Sequence, residues 1–185
     1  MTSNTQDAVA SYVTDMLALE EHMQKAFAAQ LTDQKTGMLS SVLRELNVTS
    51  ETHSKALQLL ADRREQGGQG IAEVVKKAAS SVLGLGAAAI DLVRSEKLPK
   101  NLRDDYTVVS LATVGYAMLF TTATSLNDTE VAELALSHLQ NYAKASMTLM
   151  KAIPQSVVEF LAEEGHAVDR AALPGIDESI SGVWS

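Results

Sequence analysis

The chain has 185 residues, of which 46% are hydrophobic and 21% are charged, and its mean hydropathy is +0.02. This length and composition predict one globular domain and exclude a disordered protein or two domains of ordinary size. The formal net charge of −8 argues against nucleic acid as a partner, because phosphate binding needs clustered Lys and Arg side chains.

Two absences in the sequence narrow the class of protein further. The chain has no cysteine, which excludes thiolate catalysis, thiolate metal sites and disulfides. Its longest apolar-rich run, residues 82–93, is interrupted by glycine and aspartate, and residues 1–7 lack both a basic start and an apolar signal core. We therefore expect a cytoplasmic protein that is neither secreted nor inserted across a membrane.

Apolar residues at helical spacing predict two long helices in the first third of the chain, over residues 7–31 and 34–66. A break at Thr32 and Asp33 separates them, and a glycine-rich stretch at residues 67–70 ends the second. Two long helices joined by so short a turn pack antiparallel. The apolar positions are Val9, Val13, Met16, Met23, Phe27, Leu31, Leu39, Val42, Leu46, Ala56 and Leu60.

The rest of the chain repeats this arrangement after a long connection. Residues 71–97 predict a helical crossover, and residues 102–125 predict the third long helix, with Val108, Ala112 and Leu119 among its inward-facing positions.

A turn and a fourth helix follow the third. Asn127 can take the left-handed conformation that ends a helix, and Asp128 can cap the next one, over residues 129–153. Pro154 lacks a backbone donor and should kink or interrupt this helix before the pattern resumes at residues 155–164.

Two antiparallel pairs separated by one long crossover are the element order of a ferritin-like up-down four-helix bundle. We therefore predict an all-α fold with the bundle over residues 1–165. Residues 166–185 should form a short C-terminal tail that is irregular and packs back on the bundle through Trp184.

Two polar residues interrupt the apolar stripes of the first two helices. Glu20 lies between Met16 and Met23, and His53 continues the stripe of the second helix through Thr49. A buried charged group must be paired, hydrogen-bonded, metal-bound or neutralised. We interpret Glu20 and His53 first as a buried hydrogen-bonded pair, with residual metal ligation by the same two residues as the alternative.

The third and fourth helices supply few further ligands. Their middle segments, residues 113–118 and 139–145, contain neither a carboxylate nor a histidine. His138 and Tyr142, one turn apart, are interpreted as core or interface residues. A complete two-metal carboxylate site, which takes about six ligands, is therefore not predicted.

Three stretches resemble the YciE/YciF-type ferritin-like bacterial proteins: DMLALEEH at residues 15–22, HSKAL at 53–57 and LNDTEVAEL at 126–134. The resemblance covers residues 9–161 and implies a dimeric four-helix bundle with a carboxylate/histidine di-metal centre and a role linked to stress. By position, the family's ligands on the first and second helices fall on Glu20 and His53. Its remaining ligand positions fall on Thr49, Val114, Gly115, Asn141 and Tyr142, none of which is a carboxylate or a histidine.

These observations favour a non-catalytic bundle that acts in assembly or partner binding, as a homodimer or higher homo-oligomer. Its former metal pocket should be filled by Val114, Tyr142 and a Glu20–His53 contact. One alternative is a residual metal protein that holds iron, manganese or zinc through Glu20 and His53, helped by water, His138 or a second chain. The other is binding of a membrane surface or partner through residues 71–97.

Overall fold

The computed structural model describes residues 3–33, 38–66 and 98–183, and every regular element within those ranges is helical. The all-α prediction is confirmed. The predicted crossover at residues 71–97, with its proposed partner or membrane contacts, and Trp184 lie outside the described residues. The elements are α1 (Ser3–Asp33), α2 (Met38–Gln66), α3 (Leu98–Ser125), α4 (Thr129–Glu163), a 3-10 turn (Arg170–Ala172) and α5 (Leu173–Val183).

Contacts near the helix ends fix the direction in which each long helix runs. Gln30, near the end of α1, contacts Asp105, near the start of α3, so these two helices are antiparallel. Arg64, near the end of α2, contacts Asp128, which lies in the short turn after α3. Since α2 and α3 therefore end at the same end of the molecule, these two helices run in the same direction.

The turn between α3 and α4 has the chemistry that the sequence predicts. Asn127 has a φ of 58°, the left-handed conformation that asparagine tolerates better than most residues. The Asp128 side chain accepts a hydrogen bond from the Val131 backbone N–H at 3.3 Å, and so caps the first turn of α4. The predicted turn and cap are confirmed.

The structure differs from the sequence prediction in two places, because Pro154 does not interrupt the fourth helix and the C-terminal tail contains a helix. α4 continues without a break through Pro154, which is buried, so packing of the helix outweighs the loss of one backbone donor. The C-terminal tail is not irregular, because Leu173–Val183 forms α5. Pro174 lies in the first turn of α5, where a missing N–H costs no hydrogen bond.

The core lies between the four long helices and is made largely of aliphatic side chains. Nearly all the apolar positions predicted on α1 and α2 are buried; Leu31 and Ala56 are half-buried. Within the described part of the chain, α3 is the one helix long and apolar enough, by length and composition, to cross a membrane, a test that core helices of globular proteins also pass. The largest fully buried side chains are Tyr116, Tyr142, Phe27, Met23, Leu43, Leu57, Leu60, Leu102, Leu119, Leu149 and His53.

Candidate functional site

The Glu20 carboxylate is fully buried at the centre of the four long helices. From α2, Ser50 Oγ donates to its Oε2 at 2.8 Å, and His53 Nδ1 lies 3.0 Å from its Oε1. From α3, the Tyr116 hydroxyl donates to Oε1 at 2.6 Å. From α4, the Tyr142 hydroxyl donates to Oε2. This buried carboxylate of α1 is therefore hydrogen-bonded to all three other long helices.

Each oxygen of the Glu20 carboxylate has two polar partners, His53 and Tyr116 on Oε1 and Ser50 and Tyr142 on Oε2. Ser50 Oγ also lies 2.8 Å from the backbone carbonyl oxygen of Glu20, so its single proton is shared between two acceptors. Burial, followed by the negative charge of Glu20, raises the pKa of both Tyr116 and Tyr142. The two phenols therefore keep their protons and act as donors.

The partners of His53 define its tautomer. Its Nε2 lies 3.1 Å from Asn141 Nδ2, which can only donate. Nε2 is therefore the acceptor, so Nδ1 carries the proton that is donated to Glu20. Both ring nitrogens of His53 thus have a hydrogen-bond partner.

His138 of α4 is buried beside this network and is incompletely paired. Its ring stacks on that of His53, with centroids 3.7 Å apart and an interplanar angle of 13°. Among the described residues, its Nδ1 has no hydrogen-bond partner. Burial, followed by the proximity of His53, lowers the pKa of His138 to about 3, so the imidazole is neutral at physiological pH.

A di-metal centre of the ferritin-like kind does not fit these residues. Ligand atoms of Glu20, His53 and His138 lie within 4.8 Å of one another, and this is the group of possible metal ligands found in the described part of the chain. A di-metal carboxylate site uses four carboxylates and two histidines, about six ligands in all. One carboxylate and two histidines supply three of these ligands, and three carboxylates are lacking among the described residues.

A single ion shared by the two histidines also conflicts with the observed ring geometry. Imidazole lone pairs point outward within the plane of the ring. An ion equidistant from two stacked rings 3.7 Å apart would lie about 1.8 Å out of each plane, nearly the full zinc–nitrogen bond length of about 2.0–2.1 Å. Coordination by both His53 and His138 therefore requires at least one ring to rotate.

The structure brings together Glu20, His53 and Tyr142, as the sequence predicts, but the prediction for Val114 is wrong. The Val114 side chain is 57% exposed and faces away from the pocket. Tyr116 occupies the pocket instead, because two residues along a helix differ by about 200° in direction. Gly115 is where α3 approaches α1, since a Cβ there would lie 2.5 Å from Met16 Sδ.

Three members of the hydrogen-bond network were not singled out from the sequence as partners of the pair: Ser50, Tyr116 and Asn141. Tyr116 could have been found, because it completes the inward spacing of Ala112 and Leu119. Ser50 lies one turn before His53 and therefore on the same face of α2. Asn141 is an exposed residue, and the sequence carries no signal of its contact with His53.

A cleft of about 180 Å³ between α2 and α4 ends beside this network. Thr49, which the resemblance places at a ligand position, lines the cleft. The serine next to it, Ser50, is the residue that hydrogen-bonds Glu20. Asn141, the partner of His53 Nε2, forms part of the lining, whereas His53 itself does not line the cleft. Glu45 and Lys144 also line it.

Comparisons with known proteins give a fold and no function. No family model matches the chain, and no curated protein matches its sequence. The chain is similar in structure to the crystal structure of protein XCC3681 from Xanthomonas campestris, with a TM-score of 0.65 and 17% sequence identity. The similarity covers 88% of this chain and 99% of the other, and at this identity it shows the fold alone.

Proposed function

We propose that this chain is a diverged ferritin-like four-helix bundle of the YciE/YciF type, non-catalytic, which acts by assembling with further copies of itself. The parallel run of α2 and α3 supports the bundle topology. Because α3 has 28 residues and spans about 42 Å, the chain needs a long connection to return along it, as in ferritin-like folds. The bacterial origin and stress-related role implied by the resemblance belong to the same proposal.

The four hydrogen bonds to Glu20 support a structural role for the polar centre. Donors from Ser50, His53 and the two tyrosines hold the carboxylate where a metal protein would place cations. This arrangement joins the four long helices through one buried carboxylate, and hydrogen-bond donors occupy most of its acceptor sites.

The observation that carries the assembly proposal is an apolar, uncharged face on α3. Leu111, Val114 and Met118, at spacings of three and four residues, are 57%, 57% and 46% exposed. Residues 106–127 contain no Asp, Glu, Lys, Arg or His. In a protein with a net charge of −8, this face can meet the same face of a second copy without bringing like charges together.

Sedimentation equilibrium of a Leu111→Lys/Met118→Lys variant tests this assembly. We expect the wild-type protein to form dimers or larger oligomers and the variant to be monomeric, because two ammonium groups would face their counterparts across a symmetric interface. The matched control is Leu59→Lys, since Leu59 is 60% exposed on a different helix, α2, and should leave the oligomeric state unchanged.

Helical circular dichroism establishes that each variant is folded before its mass is compared. A wild-type protein that stays monomeric across the concentration range contradicts the assembly proposal. So does a folded double variant that associates as strongly as the Leu59→Lys control.

A second candidate function is residual binding of one divalent ion, and the unpartnered Nδ1 of His138 is the observation that favours it. Iron, manganese or zinc could then be held by Glu20, His53 and His138 after one imidazole has turned. Calorimetric titration with zinc separates the candidates. Saturable binding that is lost in His138→Gln but kept in the exposed control His166→Gln supports the ion site, and no binding supports the structural centre.

A further inference from the structure

A second buried carboxyl group lies away from Glu20, where the end of α1 meets the start of α3. Asp105 is fully buried, and Gln30 is 5% exposed. Gln30 Nε2 donates to Asp105 Oδ1 at 2.7 Å. The other oxygen of each group, Asp105 Oδ2 and Gln30 Oε1, has no hydrogen-bond partner in the described ranges. The pair therefore contains two buried acceptors and lacks one donor.

A proton on Asp105 supplies that missing donor. A buried acceptor without a partner is costly, and two in one contact are rarely tolerated in a folded protein. A carboxylic acid can pair with a primary amide through two hydrogen bonds, one in each direction. Protonation of Oδ2 turns it from an unpaired acceptor into a donor, and the unpaired oxygen of the same contact, Gln30 Oε1, becomes its acceptor.

The electrostatic surroundings also favour the protonated acid. Burial raises the pKa of Asp105 from 3.8 to about 7; the hydrogen bond from Gln30 acts in the opposite direction, and the nearby charge of Asp104 raises it further. Asp104 is itself paired with Arg103 at 2.6 Å, so that guanidinium is engaged with its neighbour. From α1, the group that faces Asp105 is the uncharged Gln30 amide.

We propose that Asp105 and Gln30 form a proton-operated latch between α1 and α3. With the acid neutral, Oδ2 donates to Gln30 Oε1 while Gln30 Nε2 donates to Oδ1, and the latch is closed. Loss of the proton leaves a buried carboxylate beside the amide oxygen of Gln30, and the latch opens because the hydrogen bond from Oδ2 is lost. The contact would make the stability of this end of the molecule depend on pH near neutrality.

The sign of this dependence follows from the raised pKa in the folded state. Between pH 3.8 and about 7, the folded chain holds the proton and the unfolded chain has released it, so stability falls as pH rises. Relative to a chain that cannot titrate at this position, the unfolding equilibrium constant should rise roughly 50- to 100-fold from pH 5 to pH 8. The latch is independent of the proposed assembly, because neither residue lies on the apolar face of α3.

Urea unfolding of Asp105→Asn over pH 5–8 tests the latch. Asparagine keeps the carbonyl that accepts from Gln30 and adds an N–H donor for Gln30 Oε1, so it mimics the protonated acid. We expect the variant to match the wild type at pH 5 and to be more stable at pH 8. Asp62→Asn, at an exposed aspartate of α2 that does not contact Asp105, is the control that should keep the wild-type pH dependence.

Parallel pH profiles for the wild type and Asp105→Asn would overturn the proposal. Infrared spectroscopy of the wild type keeps it testable if the variant does not fold. The carbonyl band of a protonated carboxylic acid should be present at pH 6 and lost by pH 8.5. Absence of that band at pH 6 would equally overturn the latch.

Discussion

Glu20 shows how a buried carboxylate can be stabilised by hydrogen-bond donors in place of cations. Its partners on the other three helices are a serine, a histidine and two tyrosines, and none of them brings a permanent positive charge. Hydrogen bonds to the charged form of a carboxylate offset the loss of water around it. The cost of breaking this arrangement should therefore appear in stability rather than in a catalytic rate.

We expect Glu20→Gln to lower the free energy of unfolding by about 2–4 kcal/mol, because its amide nitrogen would face two donors that lose their acceptor. Urea unfolding of the variant beside Glu21→Gln measures this, since Glu21 is the adjacent exposed glutamate. Equal stability of the two variants would show that the four hydrogen bonds do not support the fold.

At the residue level, the sequence predicts a site residue correctly where a polar side chain lies on an otherwise apolar face of a helix. Glu20 was found because a carboxylate on an apolar stripe is conspicuous, and His53 for the same reason. Tyr116 was missed because a tyrosine on a buried face resembles ordinary core, and its hydroxyl partner is 96 residues away in sequence. Long-range pairing of this kind has no local signal.

At the scale of elements, hydrophobic periodicity predicts the four long helices and the turn between α3 and α4. Their ends differ from prediction by a few residues, as the wider bounds of α1 and α3 show. The errors at Pro154 and in the C-terminal tail arise because proline and glycine were treated as helix-breaking residues wherever they occur. Their position within the helix and the packing around them decide the outcome.

The turn between α3 and α4 depends on the left-handed backbone of Asn127. We expect Asn127→Val to cost about 1–2 kcal/mol of stability, because a β-branched side chain is strained at a φ of 58°. Asn127→Gly should be tolerated. Thermal unfolding measures both, with Thr124→Val as a control for an exposed β-branched residue in the last turn of α3. Equal melting temperatures for the two valine variants would contradict this role.

At the scale of the whole molecule, the contacts at the two ends and at the centre fix how the helices are arranged. The Arg64–Asp128 pair joins the ends of α2 and α3 with two hydrogen bonds of 2.6 and 2.7 Å. The Gln30–Asp105 contact joins α1 and α3 near the opposite end. Element lengths predict such an order of helices, but only these contacts show that α2 and α3 run in the same direction.

The sequence also predicts that the ligand set of a di-metal centre is incomplete, and in the structure Glu20 is surrounded by hydrogen-bond donors. Carrying the family's positions over one by one placed Val114 in the pocket, whereas helical geometry places Tyr116 there. The central claim of the proposed function is that the hydrogen-bond donors around Glu20 form a structural centre that holds no metal ion.

Metal analysis of the purified wild-type protein tests this claim most directly. The protein is produced in medium supplemented with iron, manganese or zinc, and the metal retained per chain after dialysis is measured by mass spectrometry. We predict no stoichiometric metal of any of the three kinds. About two tightly held ions per chain would contradict the claim and would show that the chain contains a di-metal centre.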